Sequence, residues 1–333
     1  MGFLLFLIIV FQIVSGILLT FYYISDINYS YYSVMYIIRE VYYGWSLRYI
    51  HSNGASFIFG IMYFHIGRSL YVSSYVYNTN LWLSGIVLFI FLMVIAFLGY
   101  VLTWGQMSFW GGTVITNLFS SVPCIIECMC GGFYVSNSTL KRFFIFHFIL
   151  PFITIGFVII HLYYLHYISS SNELSYNINN LITFFPIILL KDIFGLFILS
   201  IGYIFQLFLG IFSLSHPDNS VEVNGLITPL HIVPEWYFLS FYAVLKAIPN
   251  KNVGFIIFLT SVLILLLLGE VKNVSTISRL TSYMWINSNL FIIYFFFIMI
   301  CELWIGAQLP QDIFLSYGRI LNFFNNLILW SNL

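Results

Sequence analysis

The chain has 333 residues, of which 61% are hydrophobic and only 7% are charged, with eleven basic and eleven acidic residues. An ordinary soluble domain carries about 25% charged residues, so this composition excludes a soluble globular protein. A formal net charge of zero leaves no basic surface for nucleic acid. The chain is therefore predicted to be an all-α polytopic protein of the lipid bilayer.

Eight apolar segments are predicted to cross the membrane, because each approaches or reaches the roughly 20 residues that a spanning helix needs. The first lacks a basic n-region and a small-residue cleavage site, which favours a span over a signal peptide. The predicted spans are 2–23, 44–72, 81–102, 142–168, 192–212, 253–270, 284–306 and 312–330.

Three long segments, 25–43, 105–141 and 213–252, separate some of these spans. Each follows an odd-numbered span, so all three are predicted to lie on one side of the membrane. The first is rich in tyrosine and predicts an amphipathic surface helix. The distribution of Lys and Arg does not decide which side this is.

Spans two and four each carry two histidines fourteen residues apart, His51 with His65 and His147 with His161. On a helix this spacing corresponds to about 21 Å and an angular difference of about 40°, so each pair lies on one face. Because the spans are parallel, His51 is level with His147, and the other two form a second layer. Paired imidazoles between parallel helices predict the axial ligands of two haem irons. Helix packing or a proton relay is the alternative.

Glycines repeat the same spacing in the two neighbouring spans. Gly2 and Gly16 are fourteen residues apart in span one, and Gly85 and Gly99 are fourteen apart in span three. A missing side chain allows a bulky planar group to approach the backbone. Packing between helices through small residues is the alternative.

Arg48 and Arg68 lie three residues outside the two histidines of span two. A guanidinium pairs with a carboxylate through two parallel hydrogen bonds, so both are candidates to bind haem propionates. Snorkelling to lipid headgroups is the alternative. The four cysteines form no C-x-x-C-H attachment motif, so the haems are predicted to be non-covalent.

At this point the sequence resembles the mitochondrial cytochrome b family, the diheme core subunits of the cytochrome bc1 complex (respiratory complex III). The resemblance covers nearly the whole chain. It rests on the doubled H-x13-H and on "GYVLTWGQMSFWGGTVITNL", "RFFIFHFILPF", "SHPDN" and "TPLHIVPEWYF". The chain departs from the family pattern at Thr103, where Pro is usual, and at Gly112, where Ala is usual.

The resemblance implies a role for each histidine layer. His51 and His147 would bind the low-potential haem near the intermembrane side. His65 and His161 would bind the high-potential haem near the matrix side. The first four spans would form a diheme four-helix bundle.

The resemblance also implies that the chain is divided into two parts. Residues 1–212 would form the N-terminal diheme bundle with spans one to five, including a quinol-site loop at 105–141. Residues 213–333 would form the C-terminal part with the PEWY loop and spans six to eight. The long segments would face the intermembrane space.

Two quinone sites follow from the same resemblance. The positions matching the quinol-oxidation site are Phe97, Tyr100, Met107, Gly111, Ile115, Pro234, Glu235, Tyr237, Phe238 and Tyr242. The positions matching the quinone-reduction site are His166, Ser170, Phe184, Lys191 and Asp192.

The residues themselves allow a separate argument at two of these positions. Glu235 is a candidate base for a quinol proton, although Pro followed by Glu also favours a helix start. His166 and Asp192 could protonate a reduced quinone, although Asp192 could equally cap span five.

The implied function is that of the electron-transfer and quinone-binding subunit of ubiquinol–cytochrome c reductase, in the mitochondrial inner membrane. Bifurcated quinol oxidation on one side, quinone reduction on the other and proton translocation would be coupled. The expected partners are a Rieske iron–sulfur protein, cytochrome c1, other subunits of the complex and a second copy of the complex. The chain is not expected to be active alone.

Three alternative functions would require different sequence features. A haem–copper oxidase subunit would need a further histidine cluster for copper, and seven histidines leave too few. A transporter or channel would use the histidines as a proton relay, without a reason for the glycine spacing. A smaller diheme cytochrome would lack the PEWY loop and the eight spans.

Overall fold

The structure is a computed structural model that describes residues 1–72, 74–170, 182–270 and 282–331. Within these ranges the chain is built from helices, which confirms the predicted all-α class. The helices are α1 Gly2–Thr20, α2 Ser30–Arg39, α3 Gly44–Tyr71, α4 Ser74–Tyr77, α5 Thr79–Val101, α6 Gln106–Leu118, α7 Pro123–Cys130, α8 Asn137–Ile168, α9 Leu189–Leu209, α10 Leu239–Ala247, α11 Lys251–Glu270, α12 Ser282–Gly306 and α13 Asp312–Ser331.

All eight predicted spans are helical, as α1, α3, α5, α8, α9, α11, α12 and α13. Among the described residues, five helices are long and apolar enough to cross a membrane by length and composition, namely Gly2–Thr20, Thr79–Val101, Asn137–Ile168, Phe184–Leu209 and Lys251–Leu268. Helix α3 is less apolar because it carries two arginines and two histidines.

Helix α8 begins at Asn137, five residues before the predicted start at 142. Ser136 and Thr139 form a capping box here, and the Ser136 backbone N–H donates to Thr139 Oγ1 at 2.9 Å. A side chain that satisfies an otherwise unpaired N–H extends a helix past its apolar segment. The cap, rather than hydropathy, sets this boundary.

Four of the spanning helices form a bundle around the predicted histidine layers. Helix α1 packs against α3, and α5 packs against α8. Apolar side chains from α1, α3 and α5 share one buried cluster, which includes Ile8, Phe59 and Phe89. Inside a membrane, such contacts stabilise through van der Waals packing rather than through exclusion of water.

The three long segments meet on one side of this bundle, as predicted. Tyr31 of the first donates through its hydroxyl to the carbonyl of Ser220 in the third, at 2.7 Å. The backbone N–H of Gln106 in the second donates to the carbonyl of Val221 at 3.0 Å. The first segment contains the expected surface helix, α2, which buries Ile37.

The C-terminal helices pack around α10, a short helix that the hydropathy pattern did not predict. Lys246 of α10 donates from Nζ to the carbonyls of Ile305, Gly306 and Gln308 at 2.8, 3.2 and 2.6 Å. The last carbonyls of a helix lack partners within that helix. One ammonium group therefore closes the end of α12 and joins it to α10.

Replacing Lys246 by Met should lower the thermal unfolding midpoint of the purified protein. The substitution keeps the length of the side chain but leaves three carbonyls without this charged donor, a loss of about 2 kcal/mol. The matched control is Lys141→Met, because Lys141 is 56% exposed and lies 3.9 Å from Asp26. Equal unfolding midpoints for the two variants would show that the hydrogen bonds from Lys246 to the end of α12 do not stabilise the protein.

Candidate functional site

The four intramembrane histidines of α3 and α8 form two facing pairs. The ring centroids of His51 and His147 are 6.1 Å apart, and those of His65 and His161 are 6.5 Å apart. A metal about 2 Å from one nitrogen of each of two opposed imidazoles places the ring centroids about 6.4 Å apart. Both pairs therefore have the separation that two axial ligands of one metal require.

Hydrogen bonds fix which nitrogen is available in three of these four rings. A ring nitrogen that is tied to an oxygen orients the imidazole and leaves the other nitrogen to bind a metal. The three contacts are His51 Nδ1 with Ser15 Oγ at 3.0 Å, His147 Nδ1 with the Ile95 carbonyl at 2.8 Å, and His161 Nδ1 with Ser84 Oγ at 2.9 Å. In each case Nε2 is the nitrogen left for a ligand.

The described residues contain no cluster of three or more His, Cys, Asp or Glu side chains that could hold a metal ion. A structural zinc site normally takes four such ligands. Two-histidine layers fit a metal whose remaining ligands come from a macrocycle, as in haem.

The glycines predicted to line the layers lie against the imidazole rings. A Cβ atom added to any of them would approach a histidine ring carbon, so a larger residue would crowd three of the four rings. The added Cβ would lie 3.7 Å from His65 at Gly2, 3.0 Å from His51 at Gly16 and 3.1 Å from His161 at Gly85, and Gly99 lies closest, against His147. Each glycine therefore sits in the layer that its spacing predicted.

A cavity of about 360 Å³ opens beside the His51–His147 layer. Its lining includes both histidines, Arg48 and, from the polar segments, Glu235 and Tyr237. Arg48 is therefore placed for the predicted contact with an acidic group in this layer. Arg68 lies in the last turn of α3, near the other layer.

The segment after α9 is held against α3 by its aromatic residues. Tyr237 stacks on Phe59 with ring centroids 4.2 Å apart and an interplanar angle of 4°, and its carbonyl accepts from Tyr63 Oη at 2.5 Å. Trp236 Nε1 donates to Ser56 Oγ at 3.1 Å. These contacts fix the residues on either side of them, including Glu235.

Glu235 is a partly buried carboxyl at the edge of the cavity. Burial raises the pKa of Glu235 to about 7, against the opposing effect of the Arg48 charge. A helical turn, Trp236–Phe238, does begin after it, but the Glu235 side chain makes no capping hydrogen bond there. The carboxyl is therefore free to exchange a proton near neutral pH.

The other predicted quinol-site residues lie on the same side of the bundle. Tyr100 shares the cavity with Glu235 and Tyr237, and among the described residues its buried hydroxyl has no hydrogen-bond partner. Tyr242 donates to the Ile232 carbonyl at 3.1 Å. The remaining members are Phe97 at the end of α5, Met107, Gly111 and Ile115 on α6, Pro234 before the turn and Phe238 within it.

The predicted quinone-reduction residues lie at the other end of the bundle. His166 is in the last turn of α8 and Ser170 follows that helix, while Phe184 precedes α9. Lys191 and Asp192 are in the first turn of α9, whose N-cap is Ile188, so Asp192 is not the cap. Segment 171–181, between the two helices, lies outside the described residues.

Sequence reasoning missed the groups that orient the rings. Ser15 and Ser84 each directly precede a glycine of the layers, so a repeated Ser-Gly dipeptide was the available signal. The carbonyl of Ile95 left no such signal, because every residue has a carbonyl.

Comparison with known proteins agrees with this arrangement. The family model "Cytochrome b/b6/petB" matches residues 1–169, and "Cytochrome b(C-terminal)/b6/petD" matches residues 222–325. Cytochrome b of Plasmodium chabaudi is 47% identical over 320 residues, which cover 96% of this chain and 85% of that protein. Cytochrome b of Toxoplasma gondii is 46% identical over 323 residues, covering 96% and 87%.

A solved structure is similar over the same length. A chain of the hyperthermophilic respiratory Complex III superposes with a TM-score of 0.90 at 29% identity, covering 99% of this chain and 89% of that chain. With two family models and relatives that match 96% of the chain in agreement, the resemblance seen in the motifs is confirmed, and the chain belongs to the cytochrome b family.

Proposed function

We propose that this chain is the electron-transfer and quinone-binding subunit of a ubiquinol–cytochrome c reductase in the mitochondrial inner membrane. The observation that carries the proposal is the two layers of oriented histidine pairs, one of which shares a cavity with Glu235 and Tyr237. The likeness to a respiratory Complex III chain supports assembly into such a complex. Rieske iron–sulfur protein, cytochrome c1 and a second copy of the complex are the proposed partners.

The proposed cofactors are two non-covalent b-type haems, and the residues present fit them. His51 and His147 would hold the low-potential haem, and His65 and His161 the high-potential haem. Bound haem would supply reversible one-electron transfer. Helix rise separates the layers by about 21 Å, most of a hydrocarbon core about 30 Å thick, which suits charge transfer across the membrane.

The other residues around the histidine layers bind the proposed haems or orient the imidazole rings. Gly16 and Gly99 keep the space beside the rings free of side chains, and Arg48 offers a guanidinium to a carboxylate in the cavity. Ser15 and Ser84 hold two of the rings through Nδ1. These contacts leave Nε2 of both rings for a ligand.

The proposed role of Glu235 is to accept a proton from a quinol hydroxyl at its carboxylate oxygen. A base is most effective when its pKa is near the working pH, and the burial of Glu235 raises its pKa to about 7. Tyr100 lies at the same cavity, and its hydroxyl, which has no partner within the described part of the chain, can bind a quinol oxygen. Bifurcated quinol oxidation here would release protons on the intermembrane side.

Quinone reduction is proposed at the opposite end of the bundle. His166 and Lys191 are exposed there and Asp192 is half-buried, so all three are accessible to a quinone at that end. Proton uptake on the matrix side and release on the other would couple the reaction to proton translocation.

Removing one histidine of a layer should remove one b-type haem. His161→Ala takes away the ring that faces His65 at 6.5 Å, so the high-potential b-type signal should be lost from a redox titration of the purified complex. His166→Ala is the matched control, because His166 is exposed at the end of the same helix and both haems should remain. Two undiminished b-type signals in the His161 variant would refute the assignment.

Replacing Glu235 by Gln should slow quinol oxidation and change its pH dependence. Because the pKa of Glu235 is raised to about 7, the carboxyl is protonated below that pH and cannot accept a proton. The wild-type rate should therefore rise with pH through about 7, and the variant should lose this rise and at least about tenfold in rate.

The matched control for this test is Glu222→Gln. Glu222 is an exposed carboxyl on the same side of the membrane and accepts from Tyr32 Oη at 2.7 Å, outside the lining of the cavity. Its variant should keep the wild-type pH profile. A Glu235→Gln enzyme with the wild-type rate and profile would rule out the proposed base.

A further inference from the structure

Thr103 closes the end of α5 with two hydrogen bonds to one carbonyl. Its hydroxyl donates to the Tyr100 carbonyl at 2.9 Å, and its backbone N–H donates to the same oxygen at 3.3 Å. Carbonyls in the last turn of a helix have no partner within the helix, so Thr103 supplies what the helix lacks. A proline at 103, usual in the family that the motifs resemble, would have neither donor.

The Thr103 hydroxyl also receives a hydrogen bond from another part of the chain. Asn219 donates from Nδ2 to Thr103 Oγ1 at 3.1 Å, and its Oδ1 accepts from the backbone N–H of Ser108 at 2.9 Å. Ser108 lies in the first turn of α6, where N–H groups lack partners within the helix. One amide side chain therefore connects the end of α5 to the beginning of α6.

The absence of a side chain at position 105 leaves space for Asn219. Gly105 separates the two helices, and a Cβ atom there would lie 2.6 Å from Asn219 Oδ1. No larger residue fits at 105 without displacing Asn219. The hydrogen-bonded series Tyr100–Thr103–Asn219–Ser108, called the inter-helix clamp below, thus depends on a close approach of backbone and side chain.

The two helices joined by the clamp carry half of the proposed quinol-site residues, Phe97, Tyr100, Met107, Gly111 and Ile115. Thr103 and Asn219 also line the same cavity as Tyr100 and Glu235. The clamp therefore fixes the end of α5, which lines the cavity, relative to the beginning of α6, which carries three of the proposed quinol-site residues.

We infer that Thr103 is a positioning residue of the quinol-oxidation site, acting through Tyr100 and Asn219 to set the position of α5 relative to α6. This inference rests on the proposed function. The hydroxyl is the necessary group, because it alone both donates to α5 and accepts from Asn219.

The test is Thr103→Val in the assembled complex, with steady-state quinol oxidation as the readout. Valine has nearly the same shape but no hydroxyl, so both side-chain hydrogen bonds of residue 103 are lost. We expect the KM for quinol to rise about fivefold, the factor that corresponds to one net hydrogen bond, with kcat changed less than about twofold. Thr103→Ser keeps the hydroxyl and should restore the wild-type KM.

The matched control is Thr113→Val. Thr113 is on α6, where among the described residues its hydroxyl donates only to the Phe109 carbonyl within its own helix, at 3.0 Å, and it does not line the cavity. It should leave KM unchanged. If Thr103→Val does not accumulate, Thr103→Ala removes the same hydroxyl and carries the same expectation.

A double variant tests whether Thr103 affects KM through Asn219. Asn219→Ala should raise KM on its own, and adding Thr103→Val to it should raise KM no further, because both changes open the same clamp. Fully multiplicative effects would overturn the inference. So would a Thr103→Val enzyme with the wild-type KM.

The outcomes separate this inference from the proposed function. If the wild-type complex does not oxidise quinol, the proposed function fails. If the wild-type complex is active and Thr103→Val is indistinguishable from it, only the positioning role fails.

Discussion

The fourteen-residue spacing shared by α3 and α8 is the constraint on which the rest of the structure depends. Fourteen residues return a helix to nearly the same face after about 21 Å, so two parallel helices with this spacing must present facing histidines at two depths. The observed ring separations of 6.1 and 6.5 Å show that α3 and α8 bring a histidine pair together at both depths. The neighbouring helices α1 and α5 then favour glycine at the same depths, because a Cβ atom at Gly16, Gly85 or Gly99 would crowd a ring.

The positions of the residues on the polar side of the molecule depend on how its long segments are attached to this bundle. The segment after α9 is held by aromatic stacking on Phe59 and by a hydrogen bond from Tyr63, both on α3. The helix that carries His51 and His65 therefore also positions Glu235. Arg48, on the same helix, lowers the pKa of Glu235, but burial raises it more. A carboxyl that titrates near neutral pH thus results from attachment to α3, and is not a property of the Pro-Glu-Trp-Tyr motif by itself.

Much of this arrangement could be predicted from the sequence, because hydropathy and helical periodicity are regular over long distances. The eight spanning helices, the paired layers and the position of each glycine all follow from spacing. The short helices α6, α7 and α10 were not predicted, since local caps and tertiary contacts stabilise helices of 13, 8 and 9 residues. The inter-helix clamp was also beyond prediction. Thr103 and Asn219 are 116 positions apart, and neither residue type signals such a contact on its own.

The titratable groups inside the bundle and those at its two ends have different surroundings and different proposed roles. Within α3 and α8 the half-buried histidines of the layers are oriented by fixed oxygens, as at Ser15 and Ile95, which leaves Nε2 to bind a ligand. The groups proposed to exchange protons with quinone are placed differently, Glu235 in a loop at one end of the bundle and His166 and Asp192 at helix ends at the other. A proton acceptor must reach water to be reset, whereas an electron can cross a packed interior between fixed centres. In the proposed function, proton transfer is therefore confined to the two ends of the bundle, and the two histidine layers lie in the apolar interior between them.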